Sequence, residues 1–260
     1  MRVLFFGDIV GRPGRVALAR HLPALRKSYA PDLLIANAEN AAGGTGLTPE
    51  VAEELFDLGL DAMTLGNHAW AKREILEYLD HEHRVLRPLN FPANPPGVGS
   101  CVLTAADGTQ VGLISLHGRV FFLAHPDDPF AVGLAEVERM RTAGVKCILV
   151  DFHAEATSEK VAMGWHLDGR VSAVIGTHTH VQTADERILP GGTAYLTDVG
   201  MTGPIDSIIG VRVDLALERF LTQMPVRFSP AAGEAQVAGV ALTLDPSTGL
   251  ATAIERIRIS

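Results

Sequence analysis

The first half of the chain alternates short apolar runs with longer stretches of helical periodicity. The apolar runs lie at residues 2–6, 33–36 and 62–65. Each has the length of a buried strand, and a helical pattern follows each one, the third running from Ala69 to about Leu79. The second helix has clear end signals, because Thr48 can cap it, Pro49 occupies its first position and Gly59 lies just past its end. This alternation predicts a parallel sheet with crossover helices.

The second half of the chain predicts strands of a different arrangement. Hairpins are indicated at residues 100–116, 186–196 and 236–259, the first around the favoured turn dipeptide Asp107-Gly108. Strongly apolar strands are expected at residues 145–150 and 171–175, and helices at 127–142, from Thr157 or Ser158 as a cap to about 167, and at 212–221. The hairpins indicate either an antiparallel extension of the first sheet or a second sheet. We therefore expect an α/β fold.

Composition narrows the picture to one large domain in a reducing compartment. The 260 residues are 47% apolar, enough to bury a sizeable core in a single domain spanning residues 1–260. Cys101 and Cys147 have no metal-binding or redox spacing, so we expect reduced thiols. The N-terminal apolar run is too short for a signal peptide and no stretch approaches a membrane span, which favours a cytoplasmic location.

The net charge of -8 argues against strong binding to nucleic acid, since the chain has no basic excess to replace the counterions of a phosphate backbone. An acidic protein can still bind a single phosphate group if a metal ion supplies positive charge locally. A homo-oligomer is compatible with the sequence.

Five separate strand ends carry side chains that can bind metal ions. These side chains are Asp8, Glu39 with Asn40, Asn67 with His68, His153, and His178 with His180. Because the carboxyl ends of parallel strands converge on one crevice, five such ends should deliver their side chains to one place. The set contains carboxylates, amide oxygens and imidazoles but no thiolate, which suits Mn, Fe, Zn or Co better than copper.

The donors are too numerous for one tetrahedral ion, whereas two ions that share Glu39 as a bridge account for their number. Two carboxylates against two dications leave such a site positively charged. A site of this kind should attract a phosphate group and ionise a bridging water molecule.

The same residues resemble a known family, the calcineurin-like metallophosphoesterases, and within it the YmdB-like branch associated with cyclic nucleotide phosphodiesterase activity. The matching motifs are Gly7-Asp8, residues 37–40, Gly66-Asn67-His68, His153 and residues 176–180. Two positions depart from the broad family: Val10 stands where a metal-binding histidine is usual, and Glu39 replaces aspartate. Both changes are typical of the YmdB-like branch, in which the adjacent asparagine, here Asn40, takes the place of the missing histidine.

The resemblance implies a β-sandwich of mixed sheets flanked by helices and a site for two divalent ions, Fe or Mn in the first place and Zn as an alternative. One ion would take Asp8, Glu39, Asn40 and His180, and the other Glu39, Asn67, His153 and His178. Asn67 and His68 would also contact the substrate, with His68 as the general acid, because histidine exchanges protons near neutral pH. The expected reaction is attack of the bridging hydroxide on a cyclic nucleotide, with the 2',3'-cyclic kind favoured and the 3',5'-cyclic kind as a further candidate.

Other interpretations stay open at this point. The ligand set does not separate a phosphodiesterase from a phosphomonoesterase, and the chain is also compatible with a regulatory protein that senses a nucleotide with little turnover. A metal-dependent amidohydrolase fits the order of the motifs less well.

Several single residues also have two interpretations. Asn67 could cap a helix that starts at Ala69, Asp198 could orient a ligand histidine or sit in a turn, and His117 could line the same crevice. Lys160 and Glu155 could approach the substrate or lie in solvent.

Overall fold

A computed structural model describes residues 1–123 and 125–260 of the chain. Within these residues there are six helices and fourteen strands. The helices are α1 (Gly11–Tyr29), α2 (Pro49–Asp57), α3 (Ile75–Leu79), α4 (Pro129–Thr142), α5 (Thr157–His166) and α6 (Val213–Thr222). The strands are β1 (Arg2–Phe6), β2 (Asp8–Ile9), β3 (Leu33–Asn37), β4 (Ala62–Thr64), β5 (Val85–Leu86), β6 (Ser100–Thr104), β7 (Gln110–His117), β8 (Cys147–His153), β9 (Ala173–Thr177), β10 (Arg187–Ile188), β11 (Ala194–Leu196), β12 (Met201–Pro204), β13 (Ala235–Asp245) and β14 (Leu250–Ile259).

The strands form two mixed sheets. The first has the order β2-β12-β13-β1-β3-β4-β5, with β14 paired to β13, and the second has the order β10-β11-β9-β8-β7-β6. Strands β1, β3, β4 and β5 run parallel, and so do β7, β8, β9 and β11. Both expected alternatives therefore occur: the final hairpin extends the first sheet antiparallel to β1, and the middle of the chain builds a second sheet.

The sheets pack face to face, and helices cover their outer faces. In β1, Val3 and Phe5 point to side chains of the second sheet, whereas Leu4 and Phe6 pack with Leu18 and other apolar residues of α1. A third apolar cluster joins the outer face of the second sheet to α4 and α5. Because both faces of the central strands are buried, their sequences are continuously apolar rather than alternating. The architecture confirms the expected single α/β domain with a β-sandwich of mixed sheets flanked by helices.

Three predicted elements differ from the structure. The helix expected from Ala69 is reduced to α3, and residues 67–74 form turns in which Trp70 donates its ring N–H to the carbonyl of Pro96. Helix α5 begins after Ala156 without a side-chain cap, so the predicted capping by Thr157 or Ser158 is wrong. Strand β8 continues through His153, because parallel neighbours β7 and β9 provide hydrogen-bonding partners along its whole length.

Two further observations bear on the composition. Cys101 and Cys147 are both free, and Cys147 is buried. None of the helices in residues 1–123 and 125–260 combines the length and the apolar character needed to cross a bilayer.

Candidate metal centre

The seven predicted ligands lie where the carboxyl ends of the two sheets meet. Asp8, Glu39 with Asn40, and Asn67 follow β1, β3 and β4 of the first sheet, whereas His153 ends β8 and His178 and His180 follow β9 of the second. From the sequence, the crevice was expected at the carboxyl end of one sheet. In the structure, strands of both sheets form it. Each sheet has a parallel core, so its carboxyl ends open in one direction, and the sandwich brings both sets of ends together.

One group of donors surrounds His153, which is fully buried. Its Nε2 atom lies 3.0 Å from Glu39 Oε1, 3.0 Å from Asn67 Oδ1 and 3.0 Å from His178 Nδ1. Glu39, His153 and His178 also form the one group of three acidic or imidazole side chains, among the described residues, whose ligand atoms all lie within 4.8 Å of one another.

The second group lies beside the first and includes Asp8, which is fully buried. His180 Nε2 lies 3.6 Å from Asp8 Oδ1 and 3.2 Å from Asn40 Nδ2. The two groups are connected, because the backbone N–H of His178 donates to Asp8 Oδ2 at 3.2 Å. The structure thus places all seven side chains in one site, and their role as ligands stays a prediction.

The hydrogen bonds of the three histidines turn a lone pair of each ring toward this site. His180 Nδ1 donates to the carbonyl of Ile209 at 2.8 Å, and His178 Nε2 donates to Glu155 at 3.0 Å. His153 Nδ1 lies 2.9 Å from the hydroxyl of Thr177, which itself donates to Asp151 at 2.7 Å and is therefore left to accept from the ring. Each outer bond fixes the tautomer, so that the inner nitrogen carries no hydrogen in the neutral ring.

The loop that carries His178 and His180 is held in an unusual conformation by a buried ion pair. His178 has φ 101° and His180 has φ 66°, both in the left-handed region that side chains rarely adopt. Lys160 donates to Asp198 at 2.6 Å and to the Thr177 carbonyl at 2.7 Å, and Asp198 accepts the backbone N–H of Thr179 at 3.0 Å. Strained backbone of this kind persists where surrounding structure enforces it, often at a functional site.

A glycine makes room for one of the rings. A Cβ atom at Gly66 would overlap the imidazole of His153, so the glycine of the Gly66-Asn67-His68 motif is required by the approach of β4 to the ring on the other sheet. The motif therefore supplies space as well as side chains.

The pKa values show that Asp8, Glu39 and His180 are charged at neutral pH, whereas His178 is neutral. Burial opposes the charged forms of Asp8 and Glu39, but neighbouring histidines outweigh it, holding the pKa of Asp8 well below its usual range and lowering that of Glu39 to about 2. Burial likewise opposes protonation of His180, yet Asp8 raises its pKa to about 9. Partial burial and the neighbouring His153 lower the pKa of His178 to about 3, so it stays neutral.

Two observations indicate that this set of donors suits divalent cations. First, His153 Nε2 lies 3.0 Å from three other atoms that carry lone pairs. A proton on Nε2 could form a hydrogen bond with only one of these atoms at a time. Second, Asp8 Oδ1 is one of two buried side-chain polar atoms in the described residues without a hydrogen-bond partner. Buried lone pairs are costly unless they bind something, and carboxylate, amide and imidazole donors together suit borderline divalent ions.

The site opens into a cavity of about 410 Å³. Its walls include Glu39, Asn40, His178 and His180 from the two donor groups, together with His68. The backbone N–H of His68 donates to Glu39 Oε2 at 2.9 Å, which places residue 68 directly beside the candidate metal ligands.

The remaining sequence interpretations have different outcomes. Asp198 bonds the loop backbone and Lys160 rather than a histidine ring, and Lys160 is buried, so neither the substrate contact nor the solvated surface expected for it is correct. His117 is buried with its ring centroid 5.8 Å from that of His153 and does not line the cavity. Asn67 does not cap a helix, because turns follow it.

Sequence reasoning missed Asp151, Thr177 and Ile209, which orient the histidine rings. A carboxylate directly after the apolar run of residues 145–150 was the available signal for Asp151.

The fold brings seven potential metal-binding side chains together where the carboxyl ends of two mixed sheets meet. The chain is 49% identical over 262 residues to a Bacillus subtilis protein named 2',3'-cyclic-nucleotide 2'-phosphodiesterase, an alignment that covers 100% of this chain and 97% of that protein. A crystal structure described as a novel phosphatase from Mycoplasma pneumoniae superposes with a TM-score of 0.93 and 35% identity, covering 100% of this chain and 93% of that one. The Haemophilus influenzae NAD nucleotidase shares the fold alone, with a TM-score of 0.64 and 14% identity over 99% of this chain and 55% of that one.

The family model described as YmdB-like protein matches residues 4–257. The chain belongs to the YmdB-like protein family, which confirms the resemblance drawn from its motifs.

Proposed function

We propose that this chain is a phosphodiesterase that uses two divalent metal ions to hydrolyse 2',3'-cyclic nucleotides. The observation that supports the proposal most is the convergence of seven donor side chains, of which Glu39, Asn40, His178 and His180 line one cavity. The Bacillus subtilis relative, whose name gives this activity, supports the choice of substrate. Cyclic nucleotides of the 3',5' kind are proposed as a second substrate class.

The residues that would hold the two ions correspond to the two donor groups, one around Asp8 and one around His153. Asp8, Asn40 and His180 would bind one ion, Asn67, His153 and His178 the other, and Glu39 would bind both. Fe or Mn is proposed first, with Zn as the alternative, since all three accept oxygen and imidazole ligands. Bound ions of this kind neutralise a phosphate group and lower the pKa of a coordinated water molecule, which supplies a nucleophile at neutral pH.

The chain's own residues then orient the substrate and move the proton. The side-chain amide of Asn67 lies beside His153 and can position a phosphoryl oxygen, and His68 lines the cavity one residue further along. When the bond from phosphorus to the 2'-oxygen breaks, the departing oxygen needs a proton. His68 is proposed to donate it, a contribution that is typically 10²–10⁴-fold in rate.

The test is hydrolysis of 2',3'-cyclic AMP by protein loaded with Mn²⁺ or Fe²⁺, with metal content measured on the same samples. We expect Glu39→Gln to lose both metal and activity, and His68→Ala to keep its metal while its kcat falls by about 10²-fold or more. Glu138→Gln removes an exposed carboxylate on α4 and serves as the matched control, which should behave as the wild type. A loaded wild-type protein that hydrolyses no diester would refute the proposal.

The same samples distinguish the other classes. A diester and a monoester with the same leaving group should show a higher kcat/KM for the diester. The opposite order would make the protein a phosphomonoesterase, and tight nucleotide binding without turnover would make it a nucleotide sensor.

A further inference from the structure

The lining of the cavity is chemically mixed. It includes candidate metal ligands and His68. It also includes the apolar residues Val10, Ile209, Val211, Phe228 and Pro230, which we call the apolar wall. Phe228, which is 49% exposed, is the one phenylalanine among the described residues that line the cavity.

The apolar wall is attached directly to the metal centre through Ile209. The carbonyl of Ile209 accepts the hydrogen bond from His180 Nδ1 at 2.8 Å, and Ile209 is also one of the residues that line the cavity. Ile209 has φ 46°, a conformation that a β-branched residue adopts only under constraint from its surroundings. The wall therefore has a fixed position relative to the place where a phosphate group would bind.

The segment that carries Phe228 is also fixed. Arg212 donates its backbone N–H to the carbonyl of Ser229 at 3.1 Å, and Ala231 donates to the carbonyl of Gly210 at 2.9 Å. These bonds flank the antiparallel bridge between Val211 and Pro230. Phe228 thus lies directly before a segment that is hydrogen-bonded to the loop of Ile209.

Charge restricts what the apolar wall can bind. Among the described residues that line the cavity there is no lysine or arginine, so a phosphate group outside the metal centre would have no cationic side chain to bind. A neutral, flat and partly apolar group fits this wall. The cavity volume of about 410 Å³ lies in the range of small-molecule sites, roughly 300–1,000 Å³.

We propose that the apolar wall is the nucleobase site, with the base stacked on Phe228 while the cyclic phosphate lies at the metal centre. The inference rests on the proposed function, because it assigns the remainder of the same substrate. Aromatic side chains stack on every base, so the wall should accept purines and pyrimidines alike and favour purines for their larger surface. Substrates with additional phosphate groups should be bound less well than nucleotides with a single cyclic phosphate.

The experiment compares 2',3'-cyclic AMP with ribose 2',3'-cyclic phosphate, which has no base. Phe228→Ala should raise the KM for the nucleotide about tenfold or more and leave its kcat within about twofold, while the base-free substrate is unaffected. Phe228→Trp keeps an aromatic ring at this position, so its KM for the nucleotide should stay close to that of the wild type. Phe220→Ala, which removes a 74% exposed ring outside the cavity, is the matched control and should change neither substrate.

A binding measurement keeps the inference testable if turnover is absent. Adenosine 3'-monophosphate and ribose 3-phosphate are titrated into the Mn²⁺-loaded protein, and Phe228→Ala should weaken the nucleotide alone. If no diester is hydrolysed but this difference is found, the proposed function fails and the base site stands.

Equal effects of Phe228→Ala on both ligands, or on neither, would overturn the inference. So would a change in oligomeric state on size exclusion with unchanged KM values, since Phe228 would then belong to a protein interface.

Discussion

The buried ion pair between Lys160 and Asp198 offers a direct test of how the histidine loop is held. The two side chains are 1% and 0% exposed, and their charged atoms are 2.6 Å apart. Replacing Lys160 with methionine keeps the apolar part of the side chain but leaves the Asp198 carboxylate buried without its cation. We expect the free energy of unfolding to fall substantially and the affinity for metal to fall with it.

The magnitude follows from the environment of the carboxylate. Removing one partner of a buried ion pair costs about 3–5 kcal/mol, because the remaining charge is neither hydrated nor compensated. Asp198 keeps the backbone N–H groups of Thr179 and Gly200 as hydrogen-bond donors, at 3.0 and 2.8 Å, which places the expected loss near the lower end of that range. A protein of typical stability, about 5–15 kcal/mol, would remain folded at room temperature.

The assay is urea denaturation of the metal-free protein, so that loss of bound metal does not add to the measured change. Lys160→Met combined with Asp198→Asn should recover part of the loss, since the buried charge is gone. Recovery should be incomplete by about 1 kcal/mol or more, because asparagine has one acceptor oxygen for the two backbone N–H groups. Arg212→Met, which removes an exposed pair with Asp214, is the control and should change stability by less than about 1 kcal/mol.

Calorimetric titration with Mn²⁺ then shows whether the pair holds the loop. We expect weaker binding in Lys160→Met than in the control. A loss of stability below about 1 kcal/mol, the size typical of surface pairs, together with unchanged Mn²⁺ affinity, would refute the reasoning.

Two further predictions concern the histidine rings. Thr177→Val should lower Mn²⁺ affinity about 10- to 100-fold, because the Thr177 hydroxyl links His153 to Asp151; an unchanged affinity by titration would mean that packing alone orients the ring. The metal-free protein should lose stability as pH rises from 6.5 to about 9, since the raised pKa of His180 means that the folded state retains a proton the unfolded chain has released. Urea unfolding across this range should show a flatter profile for His180→Gln, and an unchanged slope would contradict the assignment.

The sequence was most informative where local signals act alone. Thr48 caps α2 through the N–H of Val51, as predicted, because a cap depends only on residues a few positions apart. The hairpin of β6 and β7 follows in the same way from the turn at Asp107.

The short strands β2, β5 and β12 were not predicted, because two to four residues carry no periodicity and their pairing partners are remote in sequence. Met201 pairs with Asp8, for example, across almost 200 positions.

The candidate site shows the same division. The potential metal ligands could be identified from the sequence, because each is a carboxylate, amide or imidazole side chain that follows a predicted strand. Most of the groups that orient them could not, since Lys160 and Ile209 act through contacts that only the folded chain creates. Ile209 is the clearest case, because it contributes a carbonyl to His180 and the identity of a side chain does not reveal the hydrogen bond of its backbone.

The junction of two sheets at the candidate metal centre has a consequence for kinetics. Asp8 and Glu39 follow strands of the first sheet, and His153, His178 and His180 belong to the second. An ion bound by side chains of both sheets would therefore cross-link segments up to about 170 residues apart. Separating the sheets would then require the ion to leave. Metal should therefore slow unfolding far more than it speeds folding, and resistance to proteolysis should report metal loading even where no substrate is turned over.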